Sequence, residues 1–441
     1  MKRDAILNNP AIPGAEFLPL EEIRRIQQQR WMVQREHVAN RSKFYRAKFA
    51  SASLPRSLEA LEGFPLTDKA MLRESQRQHP PFGEYIAADP RDICRVHRTS
   101  GTTGVAMNLA LSAADAALTA TVGGRAQTAS GLGAGHRVVH CLNYQLWMGG
   151  FTDHTALEAT GATVIPYGVG GTRGLIQLIQ ELGVTAISCT PSFPAVLEKT
   201  LKQAFPNLKP RDLGLKLGLF GGEAGLDEPS FRQRLEQTWG FKVRNSNYGV
   251  TDVLCNFAGQ SEFSNDLHLV CLDVLYPELV DPDSGDSKPW REGEHGELVL
   301  THLAKQCQPL VRFRTGDIIQ LTKMDTAACG RTAPRFRVTG RADDMVVVRG
   351  LNLFPAMIQG VLHKFPELSG EWRITLNHPP PYDFLPLEAE LDVPLEQPSP
   401  LTTVIEQEFK RILGATARLT LLPPSSLPRT EGKSKRVYRN Y

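Results

Sequence analysis

Between about residue 130 and residue 250 the chain alternates short apolar runs with polar segments of helical pattern, and this alternation most narrows the folds it can adopt. The runs GHRVVHCLN, GATVIPYG, GVTAISCTP and LKLGLFGGE each end in a Gly, Pro or Ser break. Amphipathic segments such as TRGLIQLIQELG and SFPAVLEKTLKQAF lie among them. Strand-length apolar runs separated by helix-length amphipathic ones predict βαβ units and a mostly parallel sheet, the signature of an α/β protein. After about residue 265 the runs DLHLVCLDVLYPEL, HGELVLTHL and PLVRFRTGDIIQL alternate as strands do, predicting a smaller antiparallel or barrel-like part.

From Val338 onward the order is strand (DMVVVRG), helix (PAMIQGVLHKFPEL), strand (EWRITLN), proline-rich connection, strand (LEAELDV) and helix (PLTTVIEQEFKRIL). That is an α+β unit of about 100 residues, a size at which a domain has its own core. At the other end, residues 18–50 carry apolar positions at helical spacing between long charged side chains, predicting an amphipathic helix. Thr67 stands as the N-cap of a short helix over LTDKAMLRE.

Composition removes several classes of function. Lys plus Arg (50) and Asp plus Glu (47) nearly cancel, so the net charge of +3 leaves no electrostatic footprint for nucleic acid. No run of about 18 apolar residues is available to span a membrane, and the N-terminus lacks the apolar core of a signal peptide. Seven scattered cysteines give no disulfide framework, which fits a reducing compartment, and the chain is expected in the cytoplasm.

Six short segments carry candidate chemistry. His97-Arg98-Thr99-Ser100-Gly101-Thr102-Thr103-Gly104 offers hydroxyls and unobstructed backbone N–H groups to phosphate, without the GK[ST] ending of a Walker loop. Phe220-Gly221-Gly222-Glu223-Ala224 and Asn247-Tyr248-Gly249-Val250-Thr251-Asp252 each follow a strand-like run, where open α/β sheets place ligand-binding turns. Tyr248 can stack on a purine, Thr251 can reach a phosphate and Asp252 supplies a hard oxygen for Mg2+. Phe313-Arg314-Thr315-Gly316-Asp317 and Thr339-Gly340-Arg341-Ala342-Asp343-Asp344 pair a carboxylate able to hold a ribose diol with arginines able to neutralise phosphate. The sixth, Glu431-Gly432-Lys433-Ser434-Lys435-Arg436, is a basic tail. Each segment alone reads equally as an ordinary turn or solvated charge.

In this order and at these distances, RTSGTTG, FGGEAG, NYGVTD, FRTGD, GRADDMVVVRGLNLFP and PRTEGKSKR resemble the signature set of the adenylate-forming enzyme superfamily, most closely its phenylacetate-CoA ligase branch. The resemblance covers roughly residues 60 to 441. It implies a large N-terminal domain (1–339), a hinge (340–344) and a small mobile α+β C-terminal domain (345–441). It also implies that Ser100, Gly101, Thr102, Thr103, Gly104, Gly222, Glu223, Ala224, Asn247, Tyr248, Gly249, Asp317 and Arg341 bind nucleotide, with Gly350 toward coenzyme A. By the same likeness Thr251 contacts phosphate, Asp252 holds Mg2+, Asp343 is the hinge residue and Lys433 bridges the carboxylate and the α-phosphate during adenylation. Asn143, Tyr144, Trp147, Phe151 and His154 fall where the family lines its acyl pocket, and their aromatic character suits a planar ring. The implied reaction joins a phenylacetate-, benzoate- or aminobenzoate-type acid to coenzyme A through an acyl-adenylate, with ATP consumed. A homodimer is implied as well.

The chain departs from the pattern in three places. Val105-Ala106-Met107 follows the phosphate loop where a lysine is usual, and Asp252 stands where family members carry Glu. A zinc-like set, Cys255, His268 and Cys329, has Ala327 in place of one further cysteine. Two other readings remain open: transfer of the acyl group to an amine, a cofactor hydroxyl or a carrier protein, and a catalytically silent nucleotide-binding protein. A metal-dependent hydrolase would need an HExxH or a dense His/Asp cluster, and the sequence contains neither.

Overall fold

A computed structural model describes residues 11–50, 53–99, 106–223, 225–395, 397–428 and 436–441. The chain divides into two compact units. The first comprises Met1–Gly222, Arg232–Thr315 and Ile319–Arg337, and the second Glu223–Phe231, Gly316–Ile318 and Val338–Tyr441.

The first unit opens with helices α1 (Leu20–Arg41), α2 (Lys43–Lys48) and α3 (Lys69–Gln78). The single helix expected over residues 18–50 is broken at Ser42, whose buried hydroxyl accepts from Tyr45 N and caps α2. Asp68, not Thr67, caps α3 by accepting from Met71 N at 2.8 Å. Thr67 is fully buried and its hydroxyl donates instead to the Val311 carbonyl, so the residue serves as a tertiary clamp.

A hairpin of β1 (Ile93–Arg98) and β2 (Asn108–Ser112) leads into α4 (Ala113–Ala129), which starts at a Ser112/Asp115 capping box. The alternating region then gives β3 (Arg137–His140), α5 (Met148–Glu158), β4 (Thr163–Pro166), α6 (Thr172–Glu181), β5 (Ala186–Cys189), α7 (Phe193–Ala204), β6 (Leu217–Gly221), α8 (Pro229–Trp239) and β7 (Lys242–Val250). Strands β4, β3, β5, β6 and β7 pair in parallel in that spatial order, as expected for crossovers made through helices. Leu175, Ile176 and Ile179 form the buried stripe of α6 at the spacing visible in the sequence.

Strands β8 (Leu254–Ser261), β9 (Ser264–Leu269), β10 (Leu275–Val280), β11 (Ser287–Lys288), β12 (His295–His302), β13 (Phe313–Lys323) and β14 (Arg335–Arg341) follow. They are the antiparallel part, and they continue the parallel strands edge to edge in one twelve-stranded mixed sheet, β11-β10-β12-β13-β14-β9-β8-β7-β6-β5-β3-β4. Parallel pairing changes to antiparallel at β7, which is the strand that carries Asn247-Tyr248-Gly249.

The second unit has the hairpin β15 (Val346–Val348) and β16 (Leu351–Leu353), then α9 (Pro355–Leu362), β17 (Leu368–Leu376), β18 (Leu385–Leu391), α10 (Ser399–Leu413), β19 (Ala417–Leu422) and β20 (Val437–Arg439). Its four-stranded sheet runs β19-β18-β17-β20. Ile358, Trp372, Ile374, Leu385, Ile405 and Phe409 belong to one core there, separate from the rest. Among the described residues no helix is long and apolar enough to cross a membrane.

Candidate active site

The turn from β7 to β8 contains the third motif. Tyr248 lies on β7 with its ring edge-on to Phe257 and Phe336, at centroid distances of 5.3 and 5.4 Å. A Cβ on Gly249 would fall on the Cys255 carbonyl, so this close crossing of the hairpin strands requires glycine. Thr251 and Asp252 occupy the turn itself.

Asp252 is 6% exposed. Its Oδ2 accepts from Lys69 Nζ at 2.7 Å, while Oδ1 is buried with no hydrogen-bond partner among the described residues. Lys69 is the first residue of α3, and the start of that helix is fixed because Thr67 N donates to Arg312 O and Arg314 N donates to Thr67 O. The strand bearing FRTGD thereby sets where Lys69 stands. The turn is braced from beneath by His302, fully buried, whose Nδ1 accepts from Leu310 N at 2.9 Å. That leaves Nε2 as the N–H, which donates to Val253 O at 3.1 Å. Burial, with Lys305 nearby, lowers the His302 pKa to about 3, so the ring is neutral.

The segment expected to line an acyl pocket runs from the loop after β3 into α5. Leu146 holds a left-handed backbone (φ 58°), and its carbonyl accepts from Arg98 N at 2.9 Å, tying the segment to the end of β1. A Cβ on Gly150 would strike the Asn143 carbonyl, so glycine is what lets α5 approach this turn. His140 donates from Nε2 to Gly150 O at 3.0 Å, with Ser188 Oγ 3.0 Å from Nδ1. Burial lowers its pKa to about 4.

Tyr144, Phe151, His154 and Pro166 line a cavity of about 510 Å3. Tyr144 Oη and His154 Nδ1 are 3.0 Å apart, His154 Nε2 lies 3.2 Å from Glu158, and the Phe151 ring stacks on His154 at 6.1 Å. Asn143 and Trp147 do not line this cavity: Asn143 Oδ1 accepts from Gln145 N, and the Trp147 ring covers the face of Gly149.

On the other side of α5, Asp153 is 1% exposed. Its Oδ2 accepts from Asn247 Nδ2 and the Cys255 thiol faces the same carboxyl, whereas Oδ1 has no partner among the described residues. Burial raises its pKa to about 7.

Within the second unit, Arg341 Nη1 donates to Asp317 Oδ1 at 2.7 Å and Nε to Asp343 Oδ1 at 2.8 Å. Burial opposes the Arg341 charge, but Asp317 and Asp343 outweigh it and raise its pKa. The Gly316 backbone is left-handed (φ 77°), and a Cβ there would meet Arg341 Nη2. Arg349 and Gly350 form the left-handed turn between β15 and β16. In the first unit, Gly222 is left-handed directly after β6. Glu223 follows it in the chain and belongs to the second unit. Ser100, Gly101, Thr102, Thr103, Gly104, Ala224 and Lys433 lie outside the described residues.

The zinc-like set of Cys255, His268 and Cys329 is not brought together in the structure. Among the described residues no three His, Cys, Asp or Glu side chains gather as metal ligands. Cys255 faces Asp153, whereas Cys329 hydrogen-bonds with Arg331 and Ser261. His268 is enclosed near Arg331 and Arg335, and burial followed by those charges lowers its pKa to about 4.

Sequence reasoning missed four residues: Lys69, His140, Asp153 and His302. Lys69 is an ordinary helix-start lysine, and the two histidines sit in strand-like apolar runs, so none carried a local signal. Asp153 did carry one, because a carboxylate in the apolar stretch WMGGFTDHTAL is out of place.

A motif-bearing turn where pairing changes direction in an α/β sheet, and a separate small α+β unit, are what the likeness to adenylate-forming enzymes implies, and the comparisons place the chain in that class. The family model for AMP-binding enzymes matches residues 20–303, and that for the AMP-binding enzyme C-terminal domain matches residues 350–440. The chain belongs to the AMP-binding enzyme family. It is 32% identical to the phenylacetate-coenzyme A ligase of Thermus thermophilus, over 96% of this chain and 98% of that protein. It is also 32% identical to the enzyme of the same name from Aromatoleum evansii, over 95% and 94%. Among solved structures, a 2-hydroxyisobutyryl-CoA ligase bound to an acyl-adenylate superposes with a TM-score of 0.85 at 29% identity, covering 98% of this chain and 94% of that one. The chain is therefore an AMP-forming acid–thiol ligase of the phenylacetate-CoA ligase-like branch.

Proposed function

We propose that the protein activates an aromatic carboxylic acid with ATP and passes the acyl group to coenzyme A. The acid's carboxylate oxygen attacks the α-phosphorus of ATP and pyrophosphate leaves. The sulfur of coenzyme A then attacks the acyl carbon, and AMP departs with the electron pair of the broken C–O bond. The observation that carries this reading is Asp252, a buried carboxylate on the turn after β7 with one oxygen on Lys69 and the other without a hydrogen-bond partner among the described residues.

The free oxygen suits Mg2+, which prefers one or two carboxylates together with substrate phosphates. Bound there, Mg2+ would supply positive charge where negative charge accumulates on the phosphates. Lys69 holds the Asp252 carboxylate in place and adds a cation in a chain that has Val105 where a loop lysine is usual. Thr251 contacts phosphate, Tyr248 stacks on the adenine, Asp317 holds the ribose and Arg341 orients Asp317 through their 2.7 Å hydrogen bond. Lys433 balances charge on the α-phosphate in the first half-reaction only, and Asp343 is the hinge residue. The Gly350 turn serves coenzyme A.

An aromatic acid is favoured by the two phenylacetate-coenzyme A ligases at 32% identity and by the Tyr144, Phe151 and His154 side chains around the cavity. The test is a panel of phenylacetates, benzoates and aminobenzoates, with pyrophosphate and thioester measured separately. Pyrophosphate release with at least one aryl acid, and AMP release that depends on coenzyme A, is the expected result. Absence of pyrophosphate with every acid refutes the reading. Lys433→Ala should slow adenylation by about 10²-fold while sparing thioester formation from supplied acyl-AMP.

A further inference from the structure

A carboxyl withdrawn from water is costly unless a cation or several donors compensate it. Asp153 is 1% exposed, forms no ion pair with any described residue, and has only the Asn247 amide and the weakly polar Cys255 thiol beside it. Its Oδ1 is left with no hydrogen-bond partner among the described residues. Fold stability does not account for such a group, since an apolar residue would fill the same helix position without the desolvation cost. Two features connect it to the reaction. Asn247, which holds it, opens the nucleotide turn, and α5, which carries it, also carries Phe151 and His154 of the cavity wall. Oδ2 is engaged by Asn247, so Oδ1 is the atom available to a ligand, and it is an acceptor once the carboxyl is ionised, which sets the assays below at pH 8.

We propose that Asp153 is a specificity-determining residue whose Oδ1 accepts a hydrogen bond from an N–H or O–H group on the body of the acid, away from the carboxylate that is activated. The preferred substrates are thus amino- or hydroxyl-bearing acids over the unsubstituted ring. This rests on the acid-activating function proposed above. A site built to bind such a donor rejects the analogue lacking it by far more than an apolar pocket can, because the buried polar atom is then left unpaired.

The experiment measures kcat/KM for pyrophosphate release with phenylacetate, benzoate, their hydroxyl and amino derivatives, and a pyridyl acetate that only accepts hydrogen bonds. Wild type, Asp153→Ala and Asp153→Asn are compared, with melting temperatures recorded. Wild type should favour donor-bearing acids by about 10²-fold or more, and the hydroxyl and amino arms identify which donor it reads. Asp153→Ala should abolish that preference while leaving the unsubstituted acids within a few fold and the melting temperature unchanged or higher. Asp153→Asn, whose one oxygen is taken by Asn247 and whose amide N–H groups then face the ligand, should likewise lose the preference for donor-bearing acids, and it serves as the folded comparison if the alanine variant is unstable. Equal losses for all acids in both variants, or a wild-type preference for the unsubstituted or acceptor-only acid, overturns the assignment of Asp153 alone. No pyrophosphate from wild type with any acid overturns the underlying activity and this assignment with it.

Discussion

The buried carboxyl of Asp153 predicts a stability that declines with pH across a range where most proteins are indifferent. Its folded pKa is raised from 3.8 to about 7, chiefly by burial. A carboxyl that resists ionisation in the folded state contributes stability that is fully present below pH 4. That stability is lost as pH rises through about 7, because the unfolded chain releases the proton and the native state retains it. At 1.36 kcal/mol per pH unit, the gap between 3.8 and about 7 amounts to about 4 kcal/mol. The titratable group in contact with Asp153 does not titrate in this window: burial pushes the Cys255 thiol upward, away from neutrality. Asp153→Asn removes the titration and keeps an oxygen for Asn247. Urea unfolding of both proteins from pH 4 to pH 8 isolates the effect, since every other ionisable group cancels in the difference. Wild type should lose up to about 4 kcal/mol relative to the variant over that range, and the difference should level off above pH 7. Parallel curves would show that the carboxylate is already ionised in the folded protein, and the argument from an uncompensated acid would then fail.

Lys69→Ala strips the partner from a carboxylate whose other oxygen has no hydrogen-bond partner among the described residues. Half-exposure of the lysine moderates the effect, so a loss of about 2 kcal/mol in denaturant unfolding is expected, together with a higher Mg2+ requirement for pyrophosphate release. Gly249→Ala places a methyl group on the Cys255 carbonyl and should cost about 3 kcal/mol or prevent folding, measured by thermal melting against Gly171→Ala, where no neighbour lies within 4 Å. Arg341→Ala removes the group that holds Asp317 and should raise the KM for ATP about tenfold with a smaller effect on the KM for the acid, as read from initial rates. Treatment with a zinc-selective chelator, followed by restoration of Mg2+, should leave the melting temperature unchanged, because Cys255, His268 and Cys329 do not form a common ligand set.

What could be read from the chain, and what could not, divides by the distance over which each feature is determined. Strands β3 to β6 and helices α6 and α7 were legible because periodicity and the Gly or Pro breaks act within about ten residues. The N-cap of α3 was displaced by one residue for a tertiary reason: Thr67 Oγ1 is committed to Val311 O, 244 positions away, and Asp68 is left to cap. The turn after β7 was singled out as a segment, yet the sequence held nothing to show that Asp252 meets Lys69 across 183 positions or that Asn247 meets Asp153 across 94. Those meetings are fixed by sheet order and by how helices pack on it, and single-chain periodicity does not encode either. The zinc-like set is a case of the same kind, since its three residues occur in the chain but β8 turns Cys255 toward α5 and Asp153. A carboxylate embedded in an apolar helix was nevertheless visible before any contact was known. Such a local contradiction persists in a folded protein only where function offsets its cost, and for Asp153 the acid to be activated supplies the function that would do so.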